Sequence, residues 1–357
     1  MKNEHGANIF KLAEDLNIDK IDILDFSSNI NPLSASEKSK LAIIENIDLV
    51  SLYPDPEYKE LKESISSYSQ CNVENILLGS GATELIRNFI AFSKAKKALL
   101  LSPVYSEYEK ELEKNNCTIK KIYYKKENNF NLSIHEILNT AKDCDLIVIC
   151  NPNNPTGALF DREQIEKITQ NFNGYLMIDE TYIEFTDLEL YSSVDLVKKY
   201  KNIFVIRGTS KFFATPGIRL GYAIAPKDIV ENLEDSFSLW NINIFATIMG
   251  ETMFKDIEYI TYVKNTLTEW KKNFYSALTE IPNLKIYPSG GNFILCEIMD
   301  NKSATNLQNY LLKKGMIIRN CSSFPGLNEK FFRVCILKDF QNKELINNIK
   351  EFMLSEK

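Results

Sequence analysis

Three short stretches combine residue types that could carry out covalent and acid–base chemistry. The first is Thr209-Ser210-Lys211-Phe212-Phe213. A lysine set among apolar neighbours loses hydration, so its amine deprotonates more readily and becomes a usable nucleophile. Read alone, a lysine is more often a solvated surface group. The second is Asp179-Glu180-Thr181-Tyr182, which follows the apolar run Tyr175–Ile178. A carboxylate at the end of such a run is buried and needs a cation or hydrogen bonds. A protonated pyridine nitrogen would serve; so would a helix cap or a buried salt bridge. The third is Asn151-Pro152-Asn153-Asn154-Pro155-Thr156-Gly157, where two prolines stiffen a loop and fix an amide as a donor. Such a turn also occurs without any function.

Two further segments suit an anion and a planar ring. Gly79-Ser80-Gly81-Ala82-Thr83-Glu84 runs into a helical pattern. The first N–H groups of that helix, at Ala82 and Thr83, would face an anion at its positive end. A tight strand-to-helix turn has the same appearance. Tyr105 follows Ser102-Pro103-Val104 and could stack on a ring, although most aromatic residues are core. Arg219, eight residues after Lys211, could grip a phosphate with two N–H groups.

Other chemistries find little support. Only two histidines occur, His5 and His135, so a histidine metal site is nearly excluded and no metal is expected. The seven cysteines are scattered without a CxxC and read as buried free thiols. Neither GxxxxGK[ST] nor GxGxxG occurs.

Each reactive stretch follows a candidate strand. The runs are Asn75–Leu78, Lys97–Leu101, Thr118–Tyr124, Asp145–Ile149, Tyr175–Ile178, Ile203–Ile206 and Leu220–Ile224, short and apolar as strands covered on both faces must be. Amphipathic segments such as Glu84–Lys94 and Tyr105–Asn116 lie between them. This alternation predicts an α/β fold with a mostly parallel, doubly wound sheet of seven strands, which places ligands at the strands' carboxyl ends. The large domain is expected over 46–238. The N-terminal arm (1–45), with one helix over Ala7–Leu16, and residues 239–357 are expected to form a smaller α+β domain. The chain has 357 residues and a net charge of −6, which disfavours nucleic acid. No apolar run approaches the ~20 residues of a membrane span. The polar, acidic start carries no apolar signal core, so a cytoplasmic address is expected.

Taken in order, the strand-end residues resemble those of fold-type I pyridoxal 5'-phosphate (PLP) enzymes of the aminotransferase superfamily, over nearly the whole chain. NPNNPTG, the DETY element and the Lys211–Tyr222 segment carry the resemblance. It implies PLP held by Lys211 as a Schiff base, with Lys211 later moving a proton at the substrate's α-carbon. It implies Asp179 on the ring nitrogen, Asn154 and Tyr182 on the ring's phenolic oxygen, and Tyr105 stacked on the ring. Gly81, Ala82, Thr83, Ser210 and Arg219 would hold the cofactor phosphate. Tyr53, in LYPDPEY, would reach the phosphate of a neighbouring subunit, which implies a homodimer with shared sites. Arg333, in FFRVCIL, would bind a substrate carboxylate. One position departs from the pattern: Gly208 stands where Ser or Thr is frequent, so a phosphate contact is lost or Thr209 replaces it.

Within the superfamily, threonine-phosphate decarboxylases, which act in cobalamin assembly, match best. The shared features are His5-Gly6-Ala7-Asn8, Leu24-Asp25-Phe26-Ser27-Ser28-Asn29-Ile30-Asn31-Pro32-Leu33, Trp240–Asn243 and Ile318–Leu327. They nominate His5, Asn29 and Arg319 for a substrate phosphate, and so a phosphorylated amino acid or amine as substrate. Histidinol-phosphate aminotransferases share YPDP, NPNNPTG and DExYIEF and are the alternative. A PLP-fold protein without catalysis, such as a sensor domain, is the alternative of another class.

Overall fold

The computed structural model describes residues 9–16 and 19–355. Seven strands form the large sheet: β1 (Ile76–Gly79), β2 (Lys97–Ser102), β3 (Thr118–Tyr123), β4 (Leu146–Cys150), β5 (Tyr175–Asp179), β6 (Ile203–Gly208) and β7 (Gly221–Ile224). Their spatial order is β1-β7-β6-β5-β4-β2-β3, and only β7 pairs antiparallel with its neighbours. The apolar runs are continuous because both faces are covered. In β4, Leu146, Val148 and Cys150 enter one core, which includes Phe89 and Phe204 with rings stacked at 4.0 Å. Ile147 and Ile149 enter the other, which continues into the small domain.

That smaller unit is built on a four-stranded antiparallel sheet. Its strands are β8 (Leu284–Ile286), β9 (Phe293–Ile298), β10 (Arg319–Asn320) and β11 (Phe331–Cys335), in the order β10-β11-β9-β8. The long helices Ile257–Thr279 and Asp339–Leu354 pack together beside it. Leu24–Asp25 pairs in parallel with Met316–Ile317, which fixes the N-terminal segment to this unit. The chain then crosses to the large sheet, where the Asn31 N–H donates to the Lys211 carbonyl at 3.0 Å and the Asn31 amide to the Phe212 carbonyl at 2.8 Å. Residues Ser27–Asn29 are thereby held between the two sheets.

The expectation of a single helix in the first 45 residues is incomplete. A second helix, Glu37–Glu45, is capped by Ser36, whose hydroxyl also donates to Asp256 at 2.5 Å. It leaves Leu41 and Ile44 exposed and buries only Ser39, so it has no apolar stripe to betray its period.

At the β5–β6 edge, Arg207 is buried with two carboxylates. Its Nε donates to Glu180 at 2.8 Å, Nη1 to Glu184 at 3.1 Å and Nη2 to Ser192 at 2.9 Å. Burial pushes the Glu184 carboxyl up to about 7, against the Arg207 charge. Removing the cation alone leaves two acids without compensation in the interior. Arg207→Met is therefore expected to cost about 3–5 kcal/mol of stability, read as a fall in the urea midpoint; a loss below ~1 kcal/mol would show that the network contributes nothing net.

Candidate active site

Because the strands run in register, their carboxyl ends form one row. Cys150 lies opposite Asp179, and Gly208 and Gly79 both lie opposite Gly221. A cavity of about 360 Å³ opens on this row, roofed by Ser27–Asn29 and by Arg319 and Arg333 of the small domain.

At one end is an anion cradle. Gly81, at φ +85°, caps the helix Ala82–Ser93, and a β-carbon there would lie 2.5 Å from Nη2 of Arg219. A β-carbon on Gly221 would lie 2.8 Å from the Ala82 nitrogen. Gly81 leaves room for the Arg219 guanidinium beside the helix N-terminus, where the first N–H groups lack intrahelical acceptors, and Gly221 lets β7 approach that turn. Ala82, Thr83 and Ser210 line the cavity beside it. Gly81 thus shapes the cradle without lining it.

At the other end is Asp179. Burial pushes its carboxyl up, while hydrogen bonds from Thr181 and Tyr108 oppose that shift. Tyr108 donates its hydroxyl at 2.6 Å, the Thr181 N–H donates at 2.9 Å, and the Thr181 hydroxyl donates to the same oxygen as its own N–H. No cation pairs with Asp179 among the described residues. Tyr105 closes one side: its hydroxyl bonds to Thr83 and its ring meets Tyr108 edge-on at 5.7 Å.

Lys211 lines the same cavity, and its Nζ donates to the Ser28 carbonyl at 2.7 Å. Burial, and after it the Arg333 charge, lowers its amine from 10.5 to about 8. Arg333, on β11, is itself buried. Its Nη2 donates to the Ser27 carbonyl at 2.6 Å, its Nη1 to the Asn154 amide oxygen, and its Nε has no acceptor. Among the described residues no carboxylate pairs with it. Tyr182 receives the Asn29 amide at 3.1 Å, and burial pushes its phenol up. Asn29, held at φ 58°, keeps a buried side-chain oxygen without a donor. Arg319, opposite Arg333 across β10–β11, lies over the Phe324 ring and donates to Ser323 at 3.1 Å.

Most sequence candidates therefore meet at one cavity. Of the Asn-Pro loop, only Asn154 faces it; Asn151 bonds the Phe160 backbone and Asn153 the Pro103 carbonyl. Thr209 is a correction. Its hydroxyl turns inward to the Leu220 carbonyl at 2.9 Å and receives Thr215, so it does not replace the side chain absent at Gly208. Tyr53 lies outside this cavity, three-quarters exposed and stacked on Trp240 at 4.2 Å. His5, with Gly6, Ala7 and Asn8, lies outside the described residues. Sequence reasoning missed Tyr108 and Thr181. The Tyr-x-x-Tyr spacing put Tyr108 one helical turn from Tyr105, and Asp-x-Thr is a spacing at which a hydroxyl reaches back to a carboxylate. No group of acids, cysteines and histidines able to hold a metal occurs among the described residues, and none of their helices is long and apolar enough to cross a membrane.

A family model described as aminotransferase class I and II matches residues 21–349. The chain is 37% identical over 351 residues to a protein of Caldanaerobacter subterraneus named "Putative threonine-phosphate decarboxylase", covering 97% of this chain and 93% of that one. It is 32% identical to the threonine-phosphate decarboxylase of Salmonella typhimurium, covering 96% and 94%. The solved histidinol-phosphate aminotransferase of Clostridium acetobutylicum superposes with a TM-score of 0.87 at 34% identity, over 93% of this chain and 99% of that one.

The buried amine gives a direct test of the site's electrostatics. Reaction of Lys211 with an added aromatic aldehyde should quicken as pH rises through a midpoint near 8, since the free amine is the reactive form. Arg333→Met removes a like charge, so the midpoint should move up. Borohydride trapping followed by peptide mass spectrometry reads both; a midpoint at the ordinary lysine value of about 10.4 in the unaltered protein would contradict the burial.

Proposed function

Within the class I and II aminotransferase family, to which this chain belongs, we propose that it decarboxylates O-phospho-L-threonine to aminopropanol phosphate, in service of cobalamin assembly. It is an enzyme of that family and its cofactor is PLP. The cavity fits that group: an anion cradle, a buried carboxylate with which no cation pairs among the described residues, and a partly buried amine of lowered pKa. Bound at Lys211, the cofactor supplies an electron-poor ring that accepts the electron pair left when a bond to the substrate's α-carbon breaks.

The chain's own residues do the rest. Ala82, Thr83, Ser210 and Arg219 hold the cofactor phosphate, Asp179 keeps the ring nitrogen protonated, and Tyr105 stacks on the ring. Tyr182 and Asn154 hold its phenolic oxygen. Arg333 receives the substrate carboxylate; Arg319, with Asn29 and His5, receives the substrate phosphate. The carboxylate leaves as carbon dioxide, and Lys211, freed when the substrate's own amine takes its place, delivers a proton to the α-carbon.

One observation supports this reading most. Three guanidinium groups, Arg219, Arg319 and Arg333, converge on one cavity, and Arg333 is buried with no carboxylate partner among the described residues. A phosphorylated cofactor together with a substrate bearing a phosphate and a carboxylate supplies three anions. A second reading, transamination of histidinol phosphate, draws on the similar Clostridium acetobutylicum structure. The purified protein is to be given O-phospho-L-threonine and, separately, histidinol phosphate with 2-oxoglutarate. Carbon dioxide from the first is expected, reduced at least ~100-fold in Lys211→Ala. Glutamate from the second with no carbon dioxide from the first would overturn the proposal.

A homodimer with shared sites belongs to the same proposal. Leu41, Ile44, Ile47, Val50, Leu52 and Tyr53 are all exposed on consecutive turns of chain, an apolar surface that a second copy would cover. Lys211→Ala and Tyr53→Ala damage different halves of a shared site. Co-expressed, the two inactive variants should regain part of the activity, because mixed dimers contain one intact site; no recovery would show that the site is not shared, and full activity of Tyr53→Ala alone would place Tyr53 outside the reaction.

A further inference from the structure

The vacancy left by Gly208 has a neighbour that uses it. Gly208 ends β6 at the cavity, and a β-carbon there would approach Thr181 Cγ2 to 3.3 Å and Oγ1 to 3.4 Å. At 3.3 Å the threonine methyl would have to give by a few tenths of an ångström to admit a side chain at 208. Thr181 also lines the cavity, two residues after Asp179. Its N–H donates to Asp179 Oδ1 at 2.9 Å, and its hydroxyl donates to the same oxygen. The N–H bond alone makes the turn that many aspartates make at this spacing. The hydroxyl adds a second donor, which requires one side-chain rotamer, and that rotamer occupies the space above Gly208. Tyr108 fills the other carboxylate oxygen at 2.6 Å.

We propose that Thr181 is a positioning residue for Asp179, and that Gly208 is its steric complement. Together they determine how the buried carboxylate is presented to the ring nitrogen of the cofactor. A side chain at 208 and the bonded rotamer of Thr181 compete for this space, so the chain forgoes a side chain beside the phosphate cradle and keeps a fixed acceptor at Asp179. Three donors on one buried carboxylate favour its ionised form, the form that pairs with a protonated ring nitrogen. This inference rests on the assignment of Asp179 to that nitrogen, but not on which reaction follows.

The test is the dissociation constant of PLP, titrated into apoprotein, with the apoprotein melting temperature as a check on folding. Thr181→Val keeps the shape and removes the donor; a rise of about tenfold is expected, the scale of one hydrogen bond to a charged group. Thr181→Ser keeps the donor and should stay within about twofold of the unaltered protein. Gly208→Ser should weaken binding when Thr181 is present and have little effect on a Thr181→Ala background, so the two sites should be coupled in a double-mutant cycle. Val binding as tightly as threonine, or strictly additive effects at 181 and 208, would overturn the pair. Should Thr181→Val fail to fold, the Ser variant and the cycle decide alone. Asp179→Ala separates the two assignments. If it leaves PLP affinity unchanged, the ring-nitrogen assignment falls and the pair with it. If it weakens binding while Thr181→Val does not, only the pair falls.

Discussion

Everything at this site depends on hydrogen-bonded strand register. Parallel pairing of β4, β5 and β6 ends those strands on one edge, and β7 returns antiparallel so that its first residue, Gly221, meets the same edge. Asp179, Gly208 and the Gly79–Thr83 turn are far apart in sequence but are neighbours because the ladder leaves no other arrangement. A slip of one residue would turn each side chain to the opposite face. β4 is buried along its whole length, so such a slip would force differently shaped side chains into two packed cores. The site thus takes its precision from the sheet core, and the loops add only short, stiff connections.

A second feature follows from burial. Arg333 is buried and Lys211 partly so, and among the described residues neither has a carboxylate partner. They are held instead by carbonyl oxygens: Ser28 for the lysine, Ser27 for the arginine. Carbonyl dipoles compensate a charge only in part. The lysine responds by giving up its proton more easily, since an amine can become neutral. The arginine cannot, because a guanidinium stays protonated. One cation can therefore become a neutral amine, and the other stays charged.

How much of this was legible in the sequence depended on what each residue's role is written in. Strand cores are written in composition, and all seven strands of the large sheet lie within a residue or two of their apolar runs. Lys211, Asp179 and Arg219 were legible because each sits at a fixed offset from such a run. Thr209 was not, since nothing in TSKFF says which of two adjacent hydroxyls faces inward; the antiparallel return of β7 decides it by offering the Leu220 carbonyl. The helix Glu37–Glu45 was invisible because it buries almost no apolar surface. Tyr108 was hidden for the opposite reason. It is fully buried and reads as core, yet its hydroxyl is the donor that completes Asp179.

The link between Arg333 and Asn154 bears on how one cavity could support either bond cleavage open to this family. Arg333 comes from the small domain and Asn154 from the stiff loop after β4, and the two side chains are in direct contact. On the proposed reading, Asn154 touches the cofactor ring and Arg333 the substrate carboxylate. The angle between ring and carboxylate is then set across a single hydrogen bond. Which bond at the α-carbon stands perpendicular to the ring decides which one breaks. That choice needs no new catalytic group; it needs a small rotation of the carboxylate anchor against the loop. Ser27 and Asn29 limit that rotation from above, because the first holds the guanidinium and the second is tied to Tyr182 and Asn292. Reaction choice would then lie in the N-terminal segment that roofs the cavity, and the residues that carry the chemistry could remain the same in both kinds of enzyme.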